Sequence, residues 1–76
     1  METGGESGRL RSYLAANVRR LRKARGWSQE VLGDAADLHR TQVGAIERAE
    51  KDVRISTVEK LGAAFDVAPQ ELFGSE

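Results

Sequence analysis

The sequence predicts an all-α domain built from five short helices. Apolar residues recur at three- and four-residue spacing in successive segments, and no stretch of useful length alternates with the two-residue period of a strand. Glycine, serine and proline fall where such segments would begin and end. At 76 residues, nearly all of the chain is needed for a single core.

Residues 1 to 8, METGGESG, have nothing to bury and are expected to form a disordered tail before one domain at 9–76. In helix 1, from Arg9 to Arg25, Leu10, Leu14, Val18 and Leu21 lie at helical spacing with arginines between them. Gly26 suits a left-handed stop. Ser28 is a good N-cap, and Trp27 and Leu32 stand at the positions of a hydrophobic staple. That makes Trp27 a core residue rather than a platform for a ligand. Helix 2 then runs from Gln29 to Ala36.

A third helix is expected from about Arg40 to Arg48, burying Val43 and Ile46. Helices this short, joined by three or four residues, must cross steeply, so residues 28–48 read as a helix-turn-helix. AEKDVR is a polar connection. Ile55, Val58, Leu61, Gly62 and Phe65 give helix 4 an apolar stripe. Pro69 suits the first position of a short helix 5 carrying Leu72 and Phe73.

Formal net charge is zero, but its distribution is uneven. Between Ser7 and Gln29 stand Arg9, Arg11, Arg19, Arg20, Arg22, Lys23 and Arg25, with no acid. Such a run either faces solvent or presents a positive face to phosphates. The absence of cysteine excludes disulfides and thiolate metal sites, and the single histidine, His39, is not expected to hold a metal. No apolar stretch approaches the roughly 20 residues of a membrane span. A soluble, cytoplasmic chain without cofactor is the expectation. An enzyme is not expected: there is no histidine–carboxylate pair at useful spacing, no glycine-rich phosphate loop, and no room in such a core for a pocket of about 300 Å³.

Three motifs point further. LR-x-x-x-G-x-S-Q begins at Leu21, A-x-L-x-R-T-x-x-x-x-IER at Ala36, and L-x-x-A-F-x-V-x-x-x-x-LF at Leu61. Together, over Val18 to Phe73, they resemble the Cro/C1-type (XRE) helix-turn-helix family of DNA-binding proteins. LHRT followed by IER is most similar to the controller proteins of restriction–modification systems. The resemblance implies a five-helix, lambda-repressor-like fold and a transcriptional regulator that binds double-stranded DNA. An antitoxin or protein-interaction module of the same fold is the alternative.

In a helix-turn-helix, the N-terminal turn of the second helix enters the major groove. Its exposed residues here are Arg40, Thr41 and Gln42, with Gly44 and Ala45 one turn on; Arg40, Thr41, Gln42 and Ala45 are the candidate base contacts. Arginine pairs bidentately with guanine, and threonine offers a hydroxyl and a methyl. Candidate DNA-backbone contacts are Gln29 by resemblance, His39 at the helix 3 cap, and Arg48, Lys51 and Arg54 around the following loop. Arg22 and Glu47 occupy positions where the family forms a partly buried ion pair. Asp37 and Ala49 replace glycines common in the family, and an extension of the third helix past Arg48 is left open at Ala49. Arg54 and Ala68 leave the helices that follow them without side-chain caps.

One short helix reads too few base pairs to stand out in a genome. A homodimer is therefore expected on a near-palindromic operator, with half-sites about 34–36 Å apart, and two dimers on adjacent sites are an option left open. Val67, Leu72 and Phe73 are the candidate dimer surface.

Overall fold

A computed structural model describes residues 4–75. Among them are four α-helices, α1 (Gly4–Ala24), α2 (Gln29–Ala36), α3 (Arg40–Glu47) and α4 (Ile55–Phe65), and no strand. The fifth expected helix is a 3₁₀ helix, Pro69–Phe73. Its five residues are too few for a stable α-helix by themselves, and its preceding residue, Ala68, makes no side-chain cap. Tertiary contacts hold it in place. The amide of Asn17, buried in the middle of α1, donates to the carbonyls of Leu72 at 2.8 Å and Gly74 at 2.9 Å.

α1 begins at Gly4, so residues 4–8 of the expected tail belong to the helix. Extending an established helix adds one hydrogen bond per residue fixed, without a new nucleus. The rest of the expected tail, residues 1–3, lies outside the described residues.

The core is one cluster drawn from every helix: Leu14 and Val18 of α1, Leu32 and Ala36 of α2, Val43 and Ile46 of α3, Val58, Leu61 and Phe65 of α4, and Leu72. Trp27 packs against it and stacks on Phe65, with ring centroids 5.8 Å apart. The Arg25 guanidinium sits over the same two rings, 5.1 Å from the Phe65 centroid, and donates to the Phe65 carbonyl at 2.7 Å. This joins the end of α1 to the end of α4. No helix among the described residues is long and apolar enough to cross a membrane.

Two apolar positions depart from the expected stripes. Ile55 is 80% exposed and Leu10 is 46% exposed. Ile55 is the first residue of α4, so helical periodicity places it in line with Val58 while the fold leaves it at a corner. Leu72 departs in the opposite sense. It is fully buried within the single chain and has no surface left for a partner, which removes it from the candidate dimer interface. Val67 and Phe73 are half-buried.

Candidate nucleic-acid interface

Local chemistry fixes the angle between α2 and α3. Ser28 accepts from the Val31 N–H at 3.0 Å and starts α2. Asp37 ends it in the left-handed region, φ 57°, a conformation that aspartate tolerates better than most side chains. The Leu38 N–H then closes onto the Gly33 carbonyl at 2.8 Å. A Cβ on Gly33 would lie 2.5 Å from the Leu38 carbonyl oxygen, so only glycine permits this turn. Val43 and Ile46 anchor one side of α3 in the core, which leaves its first turn projecting from the molecule.

His39 caps α3. Its Nδ1 accepts from the Thr41 N–H at 3.1 Å and lies 2.9 Å from Thr41 Oγ1, while Gln42 Oε1 accepts from the His39 N–H at 3.0 Å. These bonds form a capping box in which histidine takes the place usually held by serine or threonine. They also organise the candidate reading surface. Arg40, Thr41 and Gln42 are exposed, and Ala45 is half-buried beside them. The Arg40 side chain stands in solvent at the helix start, whereas the Gln42 carbonyl oxygen is held by the cap.

Beneath this surface lies a charged knot. Glu47, buried to 4% exposure, accepts from Arg22 Nε at 2.6 Å and Arg22 Nη2 at 3.0 Å. Gln29 Nε2 adds a third bond at 3.2 Å. Arg22 also donates to the Trp27 carbonyl at 2.8 Å, and Arg19 reaches the Glu47 carbonyl oxygen. Burial pushes the Glu47 carboxyl up, but the hydrogen bonds from Arg22 and Gln29 and the charges of Arg22 and Arg19 outweigh it. The net effect holds Glu47 below its ordinary value. Its hydrogen bond raises the Arg22 guanidinium in return. The knot ties α1, the start of α2 and the end of α3 into one unit.

Much of the basic run in α1 therefore has partners within the chain, although Arg19, Arg20 and Arg25 remain exposed. Arg19 and Arg22 hold Glu47, Arg25 covers the aromatic pair, Arg20 donates to Asn17 at 3.0 Å, and Arg11 pairs with Asp52 at 3.1 Å. A linear excess of arginine thus overstates the positive face available to a partner.

α3 does not run on past Ala49. The helix ends at Glu47, and Ala49 turns into the left-handed region at φ 56°. Ala49 N–H bonds to the Ile46 carbonyl at 3.0 Å and Glu50 N–H to the Ala45 carbonyl at 3.1 Å, a closure that satisfies the last helical carbonyls. Arg48 is forked onto Glu50, a partner that sequence reading missed. Lys51 and Arg54 are exposed. With Thr41, Gln42, Ala45 and Arg48 they line an open groove of about 660 Å³ between α3 and the start of α4. Among the described residues no group of histidine, cysteine and carboxylate side chains could hold a metal ion.

A steeply crossed helix pair, a second helix with an exposed polar first turn, and cations along the adjoining groove define a helix-turn-helix module of the DNA-binding class. The HTH_3 helix-turn-helix family model matches residues 18–72, and the chain belongs to that family of DNA-binding transcription regulators. A hypothetical transcription factor of Neisseria meningitidis serogroup B is 44% identical over 63 residues, 83% of this chain and 59% of the relative. The chain thus spans less than two thirds of that relative. Control protein C.SmaI of Serratia marcescens is 38% identical over 63 residues, covering 83% of this chain and 75% of its own. Among solved structures, the restriction–modification controller protein C.AhdI from Aeromonas hydrophila superposes with a TM-score of 0.79 at 38% identity, over 83% of this chain and 96% of that one.

Proposed function

We propose that the protein is a sequence-specific transcriptional regulator that docks the first turn of α3 in the major groove of DNA, as a homodimer. The observation that carries this reading is the projection of Arg40 and Thr41 from a helix locked from behind by the Glu47 knot. Arg40 is the primary base reader, through a bidentate bond to guanine. The Thr41 methyl and Ala45 supply apolar contact to thymine methyls. Gln42 has its oxygen engaged in the cap, so its amide nitrogen is the group offered to a base acceptor. Gln29, at the N-terminus of α2 where backbone N–H groups point outward, takes a phosphate, with His39, Lys51 and Arg54 flanking it. The relatives named as controller proteins support autoregulation of a restriction–modification operon as the particular role. Such a regulator shares the cytoplasm with its DNA.

Duplication is needed for a reading length that competes with the genome. Leu10, Val53, Ile55 and Phe73 surround an apolar groove of about 360 Å³ floored by Leu14 and Val58. A second copy is the occupant that two-fold pairing of half-sites requires, and this patch, with the half-buried Phe73, replaces the surface first expected around Leu72. Val67 is half-buried and does not line this groove.

Selection from a random duplex pool should enrich a near-palindrome with half-sites one or more helical turns apart. Arg40→Ala should weaken binding to the enriched duplex by about 1–3 kcal/mol while leaving the melting curve unchanged. Equal affinity of the two proteins in a gel-shift titration contradicts the assignment of Arg40.

A further inference from the structure

Side chains two residues apart do not face each other on a continuous helix. Arg48 and Glu50 meet because Ala49 leaves the helix between them. Arg48 Nε donates to Glu50 Oε2 at 2.6 Å and Nη2 to Oε1 at 3.2 Å, on the outside of the molecule, with side chains 60% and 47% exposed. The guanidinium lies across Gly44. A Cβ on that glycine would sit 3.1 Å from Arg48 Nη1 and 3.9 Å from Cζ. Both partners line the groove that Thr41, Gln42 and Ala45 also line. A cation beside the reading surface thus carries its own counterion, set by a turn and given room by a missing side chain.

We propose that Glu50 withholds Arg48 from the phosphates of DNA and so sets the electrostatic share of binding; the inference rests on the DNA-binding function proposed above. A phosphate approaching Arg48 meets a guanidinium whose Nε–Nη2 edge is already filled. Exchange would trade one ion pair for another and leave a carboxylate facing a polyanion. Binding to arbitrary sequence, which is a sum of phosphate contacts, then loses one contributor. Binding to the operator keeps the base contacts of Arg40 and Thr41, which Glu50 does not touch. The mutual hydrogen bond raises the Arg48 guanidinium and lowers the Glu50 carboxyl, as expected of a pair that is charged on both sides at neutral pH.

The test is equilibrium binding of the full chain, Glu50→Gln, Arg48→Ala and the double variant to a random duplex and to the selected operator, over about 50–200 mM salt. Glu50→Gln is expected to bind the random duplex roughly fivefold tighter at the low end, with a log–log salt slope steeper by about 0.9, one phosphate's worth. The change disappears when Arg48 is alanine. Glu71→Gln, which removes an exposed acid from the terminal 3₁₀ helix, leaves the slope unchanged. An unaltered slope in Glu50→Gln overturns the inference, as does an equal change without Arg48 or in Glu71→Gln. If the parent protein prefers the operator while Glu50→Gln matches it, the inference alone fails. If the parent binds neither duplex, the proposed function fails with it.

Discussion

Two arginine–glutamate forks meet at the C-terminal end of α3, Arg22–Glu47 on its buried side and Arg48–Glu50 on its exposed side. Each has a short contact of 2.6 Å. Their surroundings differ. The first pair is nearly buried, at 12% and 4% exposure, and bridges residues 25 apart in sequence. The second is solvated and bridges residues two apart. In low dielectric an ion pair acts as a strut, because neither charge has water to turn to. At the surface the same chemistry is exchangeable and worth little to stability. One fork holds the recognition helix in place, and the other is available to regulate what that helix touches.

Breaking the buried fork should have the largest effect. Glu47→Ala strands the Arg22 guanidinium in a partly buried site and should cost about 3–5 kcal/mol, read by urea denaturation. A domain of this size holds a net stability of only about 3–5 kcal/mol, so the variant should be largely unfolded. The pH dependence has a fixed sign. Glu47 is held below its ordinary value, so its contribution is complete above the unfolded carboxyl's pKa and is lost as pH falls through the lower folded value. Glu47→Gln should flatten that part of the acid limb.

The apolar half of the molecule offers a comparison of its own. Leu72→Ala should destabilise the chain by about 2–5 kcal/mol at any protein concentration, because Leu72 is a core residue. Ile55→Lys should shift stability by less than about 0.5 kcal/mol, since Ile55 is solvated in one copy, yet make the protein monomeric in sedimentation at micromolar concentration. A monomeric Leu72→Ala with parental stability, or a fully dimeric Ile55→Lys, would reverse their roles.

What the sequence showed was mostly local. Ser28 as a cap and Gly26 as a left-handed stop at φ 69° follow from short-range chemistry that a few residues specify. The Arg22–Glu47 pair came from family resemblance, since residues so far apart meet only through the fold. Leu72 was misplaced because five residues in isolation offer too little helix to bury an apolar side, and the Asn17 clamp that seats it is a tertiary contact without a sequence signal. Ile55 fits the helical period of α4, and periodicity does not know that the first residue of a helix stands at a corner. Glu50 was invisible for a related reason. Helical spacing rules out its contact with Arg48 until Ala49 is seen to adopt a conformation that alanine seldom takes.

The reading surface itself was legible in Arg40 and Thr41, less so in Gln42. A polar side chain at the start of a helix has two possible partners, the groove and its own cap. Gln42 Oε1 takes the cap because it stands three residues after His39, the spacing of a capping box. Arg40, one residue after the cap, has no such option.

Amide chemical-shift mapping during titration with the selected duplex tests the central claim most directly. The largest perturbations are expected at Gln29 and Glu30, along His39 to Ala45, and in the Arg48 to Arg54 segment, with little change at Leu10 and Phe73. Perturbations concentrated on the Leu10–Ile55–Phe73 face, with Arg40 and Thr41 unmoved at saturation, would contradict the account.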